Sequence, residues 1–224
     1  MRTYLLTTAA ALITVAPVLA QPAAAPPAAA QRGDFHAVIG WQNLRQERGA
    51  DARDSYNNWA NGIFYGGLGA GWHWTEHHKT QVDLGAGTRG EHYHYRAFSI
   101  GPAQGSEVSH VTVQQQSVAV SQQYQFFRNQ WFHPRVGVGV EIGRETRTQR
   151  FEPVFVYDPV LRSSRQIAPA RVEGPAHRLI GRPFGELGFK AYMTRRAFFT
   201  TDMRVMARSG IDEVLFRFGF GVDF

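Results

Sequence analysis

The sequence contains no cysteine. A disulfide framework, a zinc–thiolate centre and a catalytic thiol are therefore excluded, and export of such a chain requires no oxidative folding. Lysine is almost absent too. Lys79 and Lys190 are the only two, so the net charge of +6 rests on arginine. Guanidinium groups stay charged and fork onto carboxylate or phosphate. Nucleic acid, a phosphate-rich lipid surface or internal ion pairs would each suit them. Long hydrophobic runs are also missing: beyond residue 20 nothing approaches the roughly 18 apolar residues that a membrane helix needs. With 43% hydrophobic residues and a mean hydropathy of −0.31, the chain is not a helical membrane protein. What is plentiful is glycine, with 23 residues, and aromatic side chains, at 13%. A length of 224 residues suffices for one domain or one barrel.

The N-terminus reads as an address. Met1 and Arg2 form a positive start, residues 5–16 an apolar core, and Pro17 a break before Val18, Leu19 and Ala20. This predicts a signal peptide over residues 1–20, cleaved after Ala20. Its core is too short for an anchor, and no cysteine follows for lipidation. Residues 21–32 are rich in proline and alanine and read as a disordered lead-in. Residues 33–224 remain for the folded part.

The last strand-like stretch carries the clearest pattern. Val214, Phe216, Phe218, Phe220, Val222 and Phe224 alternate with Leu215, Arg217, Gly219, Gly221 and Asp223. A period of two makes a strand with one apolar face and one small or charged face. The same pattern recurs backward along the chain. Val136, Val138, Val140 and Ile142 alternate with Arg135, Gly137, Gly139 and Glu141; Leu187, Phe189 and Ala191 alternate with Glu186, Gly188 and Lys190. Counting every repetition gives eight strands. Links after strands two, four and six are short (75–79, 128–130, 194–196). Those after one, three and five are longer (46–57, 101–109, 144–177). Short turns on one side and long loops on the other are the asymmetry of a membrane barrel. Trp72, Trp74, Phe126, Phe127, Trp131, Phe132, Phe198, Phe199 and Phe224 cluster near the short turns, as an aromatic girdle would. The predicted fold is all-β, an eight-stranded antiparallel up-and-down transmembrane β-barrel. Ten strands stay open if residues 144–177 add a spanning hairpin. A soluble sandwich would place the apolar parity in a core, but leaves the leader and the girdle positions unexplained.

With these features the chain resembles the small outer-membrane β-barrel proteins of Gram-negative-type bacteria, the OmpA/OmpX/OmpW-like group, over roughly residues 33–224. The resemblance implies a place in the outer membrane. It also implies a closing strand read by the barrel-assembly machinery, with Phe220, Val222 and Phe224 as the signal. It implies little about activity, because the group is functionally mixed.

The inward parity holds Asp83, Arg89, Arg135, Glu141, Glu186, Lys190, Asp202, Arg204, Arg217 and Asp223. Eight strands enclose little more than their own side chains, and charges away from water must be paired. An ion-pair network filling the lumen is expected, with inward glycines making room for long arginines. A narrow polar path for small solutes is the alternative. Arg144, Arg147, Arg178 and Arg182 fall near the outer strand ends, where lipopolysaccharide phosphates would meet them. Outer-membrane lipid is thus an expected partner, and nucleic acid is not. Long strands at 80–99 and 109–127, and a protruding hairpin around Asp158 and Pro159, could meet an extracellular protein by strand addition. A lipid A-modifying enzyme is a further possibility. However, no histidine has a serine two residues later, and no catalytic, cofactor or metal constellation stands out. His92 and His94 share a strand face, but two ligands do not make a metal site. The sequence therefore points to an envelope barrel with a structural or surface-interaction role.

Overall fold

The computed structural model describes residues 32–45, 59–126, 131–208 and 210–224, so the expected leader lies outside the described residues. The described part is built of strands, with no helix: β1 (Gly33–Arg45), β2 (Trp59–His73), β3 (His78–Gly87), β4 (Gly90–Ile100), β5 (Ala103–Gln125), β6 (Phe132–Phe151), β7 (Val154–Asp158), β8 (Ser163–Ala168), β9 (Arg171–Tyr192), β10 (Ala197–Ala207) and β11 (Ile211–Asp223). Eight of them close a ring in the order β1–β2–β3–β5–β6–β9–β10–β11, every neighbouring pair antiparallel. β11 returns to β1, with Asp34 opposite Asp223 and Leu44 opposite Glu213.

Closure turns the period-two pattern into an inside and an outside. On β6, Val136, Val138, Val140 and Ile142 are exposed while Arg135 and Glu141 are buried. The exposed apolar residues continue round the ring through Phe35, Ile39, Leu68, Leu84, Val118, Leu187, Met203 and Phe216. So much contiguous apolar surface is not compatible with water and matches the lipid-facing band of a spanning barrel. At the short-turn end, Phe132, Phe189, Phe199 and Phe220 form a ladder across β6, β9, β10 and β11, with successive centroids 5.0, 6.2 and 5.5 Å apart. Phe198, expected in this girdle, is buried inside instead. It lies on the same parity as Asp202 and Arg204.

Two short turns use one device. The Thr75 hydroxyl accepts the N–H groups of His77 and His78, at 3.3 and 3.0 Å. The Thr194 hydroxyl accepts those of Arg196 and Ala197, at 3.3 and 2.9 Å. A side chain standing in for backbone acceptors lets a tight turn form without glycine. The remaining short turn, expected at 128–130, and the expected girdle residue Phe127 lie outside the described residues.

At the other end the strands outrun the ring. β5 has 23 residues, about 75 Å at about 3.3–3.4 Å per residue, where roughly 9–11 residues span a bilayer. The stretch expected as one strand from 80 to 99 is broken at Thr88 and Arg89. Thr88 exchanges bonds with Phe64: its N–H donates to the Phe64 carbonyl at 2.8 Å, and its hydroxyl accepts the Phe64 N–H at 2.9 Å. β4 then continues along β5, turning back at Gly101, whose φ of +59° lies in the left-handed region that favours glycine. The segments expected as loops at 101–109 and 144–177 are mostly strand. β7 and β8 form a hairpin whose turn is held by Asp158 Oδ1, which accepts the N–H groups of Val160 and Leu161. That hairpin joins β5 at Gln104 and Gly105, beyond the ring, so the barrel has eight strands and not ten.

Candidate functional site in the lumen

The inner face is stratified. Nearest the short turns, Asp34 of β1 takes the Lys79 ammonium at 2.7 Å and that of Lys190 at 3.4 Å. Lys190 also donates to Asp223 at 2.5 Å and sits 3.8 Å over the Phe198 ring. The Tyr192 hydroxyl donates to the other Asp223 oxygen. Both lysines of the chain thus end in one cluster with two aspartates.

The next level is denser. Arg217 forks onto Asp202 at 2.8 and 3.1 Å, the bidentate geometry that a guanidinium gives best. Arg135 reaches the same carboxylate at 3.0 Å and Thr200 at 2.9 Å. Arg204 donates to Glu186 at 2.9 Å and to Asp83. His36 lies 3.1 Å from Asp83. Gln81 and Gln123 occupy the remaining acceptors, Gln81 on Asp83 and Gln123 on Glu186 at 2.6 Å.

Above these charges lies an apolar layer of Val38, Tyr65, Ala119, Phe184, Met206 and Leu215, all buried. Six strands supply these side chains: β1, β2, β5, β9, β10 and β11. The other two, β3 and β6, place glycine there. A Cβ on Gly85 would lie 1.8 Å from the Tyr65 hydroxyl oxygen, and one on Gly139 2.5 Å from Phe184 Cζ. The space left by these glycines is therefore taken by aromatic rings rather than arginines. Arg204 packs beneath the layer, its Cζ 4.6 Å from the Phe184 ring centroid.

On the far side of the layer, Arg182 bridges Glu213 at 2.5 Å and Glu141 at 3.0 Å. Gln115 donates to Glu141 at 2.8 Å and Gln42 to Glu213 at 2.6 Å. Beyond that, Leu44, Ala60, Ile63, Val111 and Val113 make a second buried apolar cluster.

Of the residues expected in the lumen, Asp83, Arg135, Glu141, Glu186, Lys190, Asp202, Arg204, Arg217 and Asp223 are buried inside the ring. Arg89 is exposed. The break at Thr88 and Arg89 shifts the alternation by one, so that Gly90 and His92 turn inward after Asp83 and Gly87. Of the arginines expected at the lipid surface, Arg144 is exposed on the outer wall. Arg147 donates to Gln149, and Arg178 pairs with Glu145 at 3.0 Å. Arg182 is an interior residue. It shares the parity of Glu186 and Lys190, a signal present in the sequence. Phe220 and Val222 are exposed on the outer face of β11, and Phe224, just past its end, is exposed too. Asp34, His36, Lys79, Gln81, Gln115 and Glu213 belong to the network but were not among the expected residues. Lys79 and Gln81 continue the parity of Asp83, although the sequence reads Lys79 as the end of a turn.

No family model matches the chain, and no curated protein matches its sequence. Among solved structures it is similar to Neisserial surface protein A, at 13% identity and a TM-score of 0.49, over 86% of this chain and 97% of that one. It is similar to the outer membrane protein OprG from Pseudomonas aeruginosa, at 15% identity and a TM-score of 0.46, over 87% and 97%. It is also similar to Ail, the attachment invasion locus protein of Yersinia pestis, at 10% identity and a TM-score of 0.45, over 86% and 99%.

Proposed function

We propose that this chain is an integral outer-membrane barrel whose lumen is closed by its own side chains and which serves envelope structure and surface contact rather than transport. The observation that carries this reading is the apolar layer lying between two charged tiers. A hydrated ion entering from either end would lose its water among Val38, Tyr65, Phe184, Met206 and Leu215 with only the Tyr65 hydroxyl to replace it. The exposed apolar belt supports the membrane setting, and the short turns would face the periplasm with the long ribbons outside. In a planar bilayer the protein is expected to give no reproducible conductance steps, while a variant carrying Tyr65→Gly and Phe184→Gly opens a leak. Steady steps from the unaltered protein would establish the small-solute channel instead. Unchanged lipid A masses in cells with and without the protein would separate it from a lipid A-modifying enzyme.

The surface-contact part of this reading draws on the sheet β4–β5–β7–β8. One face of it presents Tyr95, Phe155 and Tyr157 around Gln104, Ser106 and Ser164, lining a groove of about 450 Å³. That size and mix of rings and hydrogen-bonding groups fit a recognition surface. Replacing residues 154–168 by a short turn should abolish cell-surface binding while leaving the barrel inserted; unchanged binding would remove this role.

A further inference from the structure

One groove lies outside the lumen. It is a trough of about 660 Å³ on the outer wall, lined by Gly66, Leu68, Ala86, Val118, Ile142 and Arg144 among others. Strand register explains its shape. One outward row runs Gly66, Ala86, Gln116, Arg144 and Leu179 across β2, β3, β5, β6 and β9; the row beneath it runs Leu68, Leu84, Val118, Ile142 and Gly181. Where most of the wall carries valine, leucine or phenylalanine, β2 and β3 here offer a hydrogen and a methyl. A Cβ on Gly66 would find no atom within 4 Å, and the same holds for Gly181. The wall is therefore indented at this level.

The height of the trough narrows what can occupy it. From the girdle residue Phe132 to Arg144, β6 advances 12 residues, or roughly 30 Å along the barrel axis for a rise of about 3.4 Å per residue and a tilt of about 40°. The apolar part of the trough thus lies in the outer half of the hydrocarbon, and Arg144 lies where headgroup phosphates begin. Arg144 has no acidic partner among the described residues. By contrast, Arg178 pairs with Glu145, Arg182 with Glu141 and Glu213, and Arg171 with Glu107 and Glu173. An exposed guanidinium without a carboxylate, at the rim of a dry apolar trough, is built to receive an anion attached to a hydrocarbon chain.

We infer that this trough seats one acyl chain of a phosphorylated outer-leaflet glycolipid, with Arg144 holding the phosphate. The inference rests on the outer-membrane reading above but is independent of whether the lumen conducts. The purified protein, freed of excess detergent and supplied with bisphosphorylated lipid A or its dephosphorylated form, can be weighed intact by native mass spectrometry. The unaltered protein should retain the phosphorylated lipid. Gly66→Leu and, separately, Ala86→Leu fill the trough from positions on the lipid-facing wall and should reduce retention of both lipids to background. Arg144→Gln should lower retention of the phosphorylated form by about tenfold to a hundredfold, the scale of a lost charge-assisted bond, and leave the dephosphorylated form unchanged. Strand content and the gel shift on heating verify that each variant is folded. Equal retention in both filled variants would overturn the seat, equal retention in Arg144→Gln would overturn the phosphate role, and a dimer appearing in place of lipid adducts would give the trough to a second copy of the chain. Conductance of the unaltered protein would refute the closed lumen without touching these outcomes.

Discussion

The two charged tiers on either side of the apolar layer are built differently. In the tier toward the short turns, the carboxylates of Asp34, Asp83, Glu186, Asp202 and Asp223 face the cations of Lys79, Arg135, Lys190, Arg204 and Arg217, five against five, all buried. Several of these groups meet two opposite charges: Asp202 holds Arg135 and Arg217, and Arg204 holds Glu186 and Asp83. In the tier beyond the layer, two carboxylates share the single guanidinium of Arg182, and amides of Gln42 and Gln115 supply the remaining donors. The balanced tier acts as a set of cross-braces between strands that are not neighbours. The other hangs on one side chain.

That contrast can be broken by removing one charge from each. Asp202→Ala strips buried Arg135 of its carboxylate and leaves buried Arg217 only Asp83 at 3.5 Å, and the expected loss is about 3–5 kcal/mol of folding free energy. It would be read as a lowered urea midpoint for folding into lipid vesicles; a loss under about 1 kcal/mol, the scale of an exposed pair, would show that the tier is wet. Arg182→Met should cost somewhat less, about 1.5–3 kcal/mol, because amide donors stay on both carboxylates. Adding Glu213→Gln to Arg182→Met should recover part of that loss, and strict additivity in the same assay would mean that the two residues do not depend on each other. Gly85→Ala sharpens the boundary between the tiers. Its methyl meets the Tyr65 ring, so about 1–3 kcal/mol of overpacking is expected, relieved in the Gly85→Ala, Tyr65→Leu double variant. Relief that fails to appear would place the strain elsewhere.

Much of this was legible in the alternation of residues. Period two is a local property, so Arg217, Asp202 or Glu141 could be assigned to the inner face without knowing what they meet. The errors occurred where the local count was interrupted or ended too early. Extending the parity through Thr88 places Arg89 inside, but the backbone exchange with Phe64 breaks the count there. Arg182 reads as an outer strand end because the visible alternation starts there, although its strand runs from Arg171 to Tyr192. Residue type alone places Phe198 in the girdle, against its own parity. The ribbons beyond the membrane read partly as loops because both of their faces mix polar and apolar residues, which blurs the alternation that marks a strand.

By itself, then, the sequence determined that one face of each strand is apolar and the other charged, and hence that closure would sort them into a lipid-facing wall and a packed interior. The tertiary structure alone decided which charges meet. Asp83 and Arg204 lie 121 positions apart, and Gln42 and Glu213 lie 171 apart. Such pairs exist only because ring closure and the stagger between strands bring residues of unconnected strands to one height. The same stagger gathers Val38, Tyr65, Ala119, Phe184, Met206 and Leu215 into one cluster, with Gly85 against Tyr65 and Gly139 against Phe184, and sets Gly66 and Ala86 beside Arg144 on the outer wall. No period within a single strand encodes that coincidence of heights.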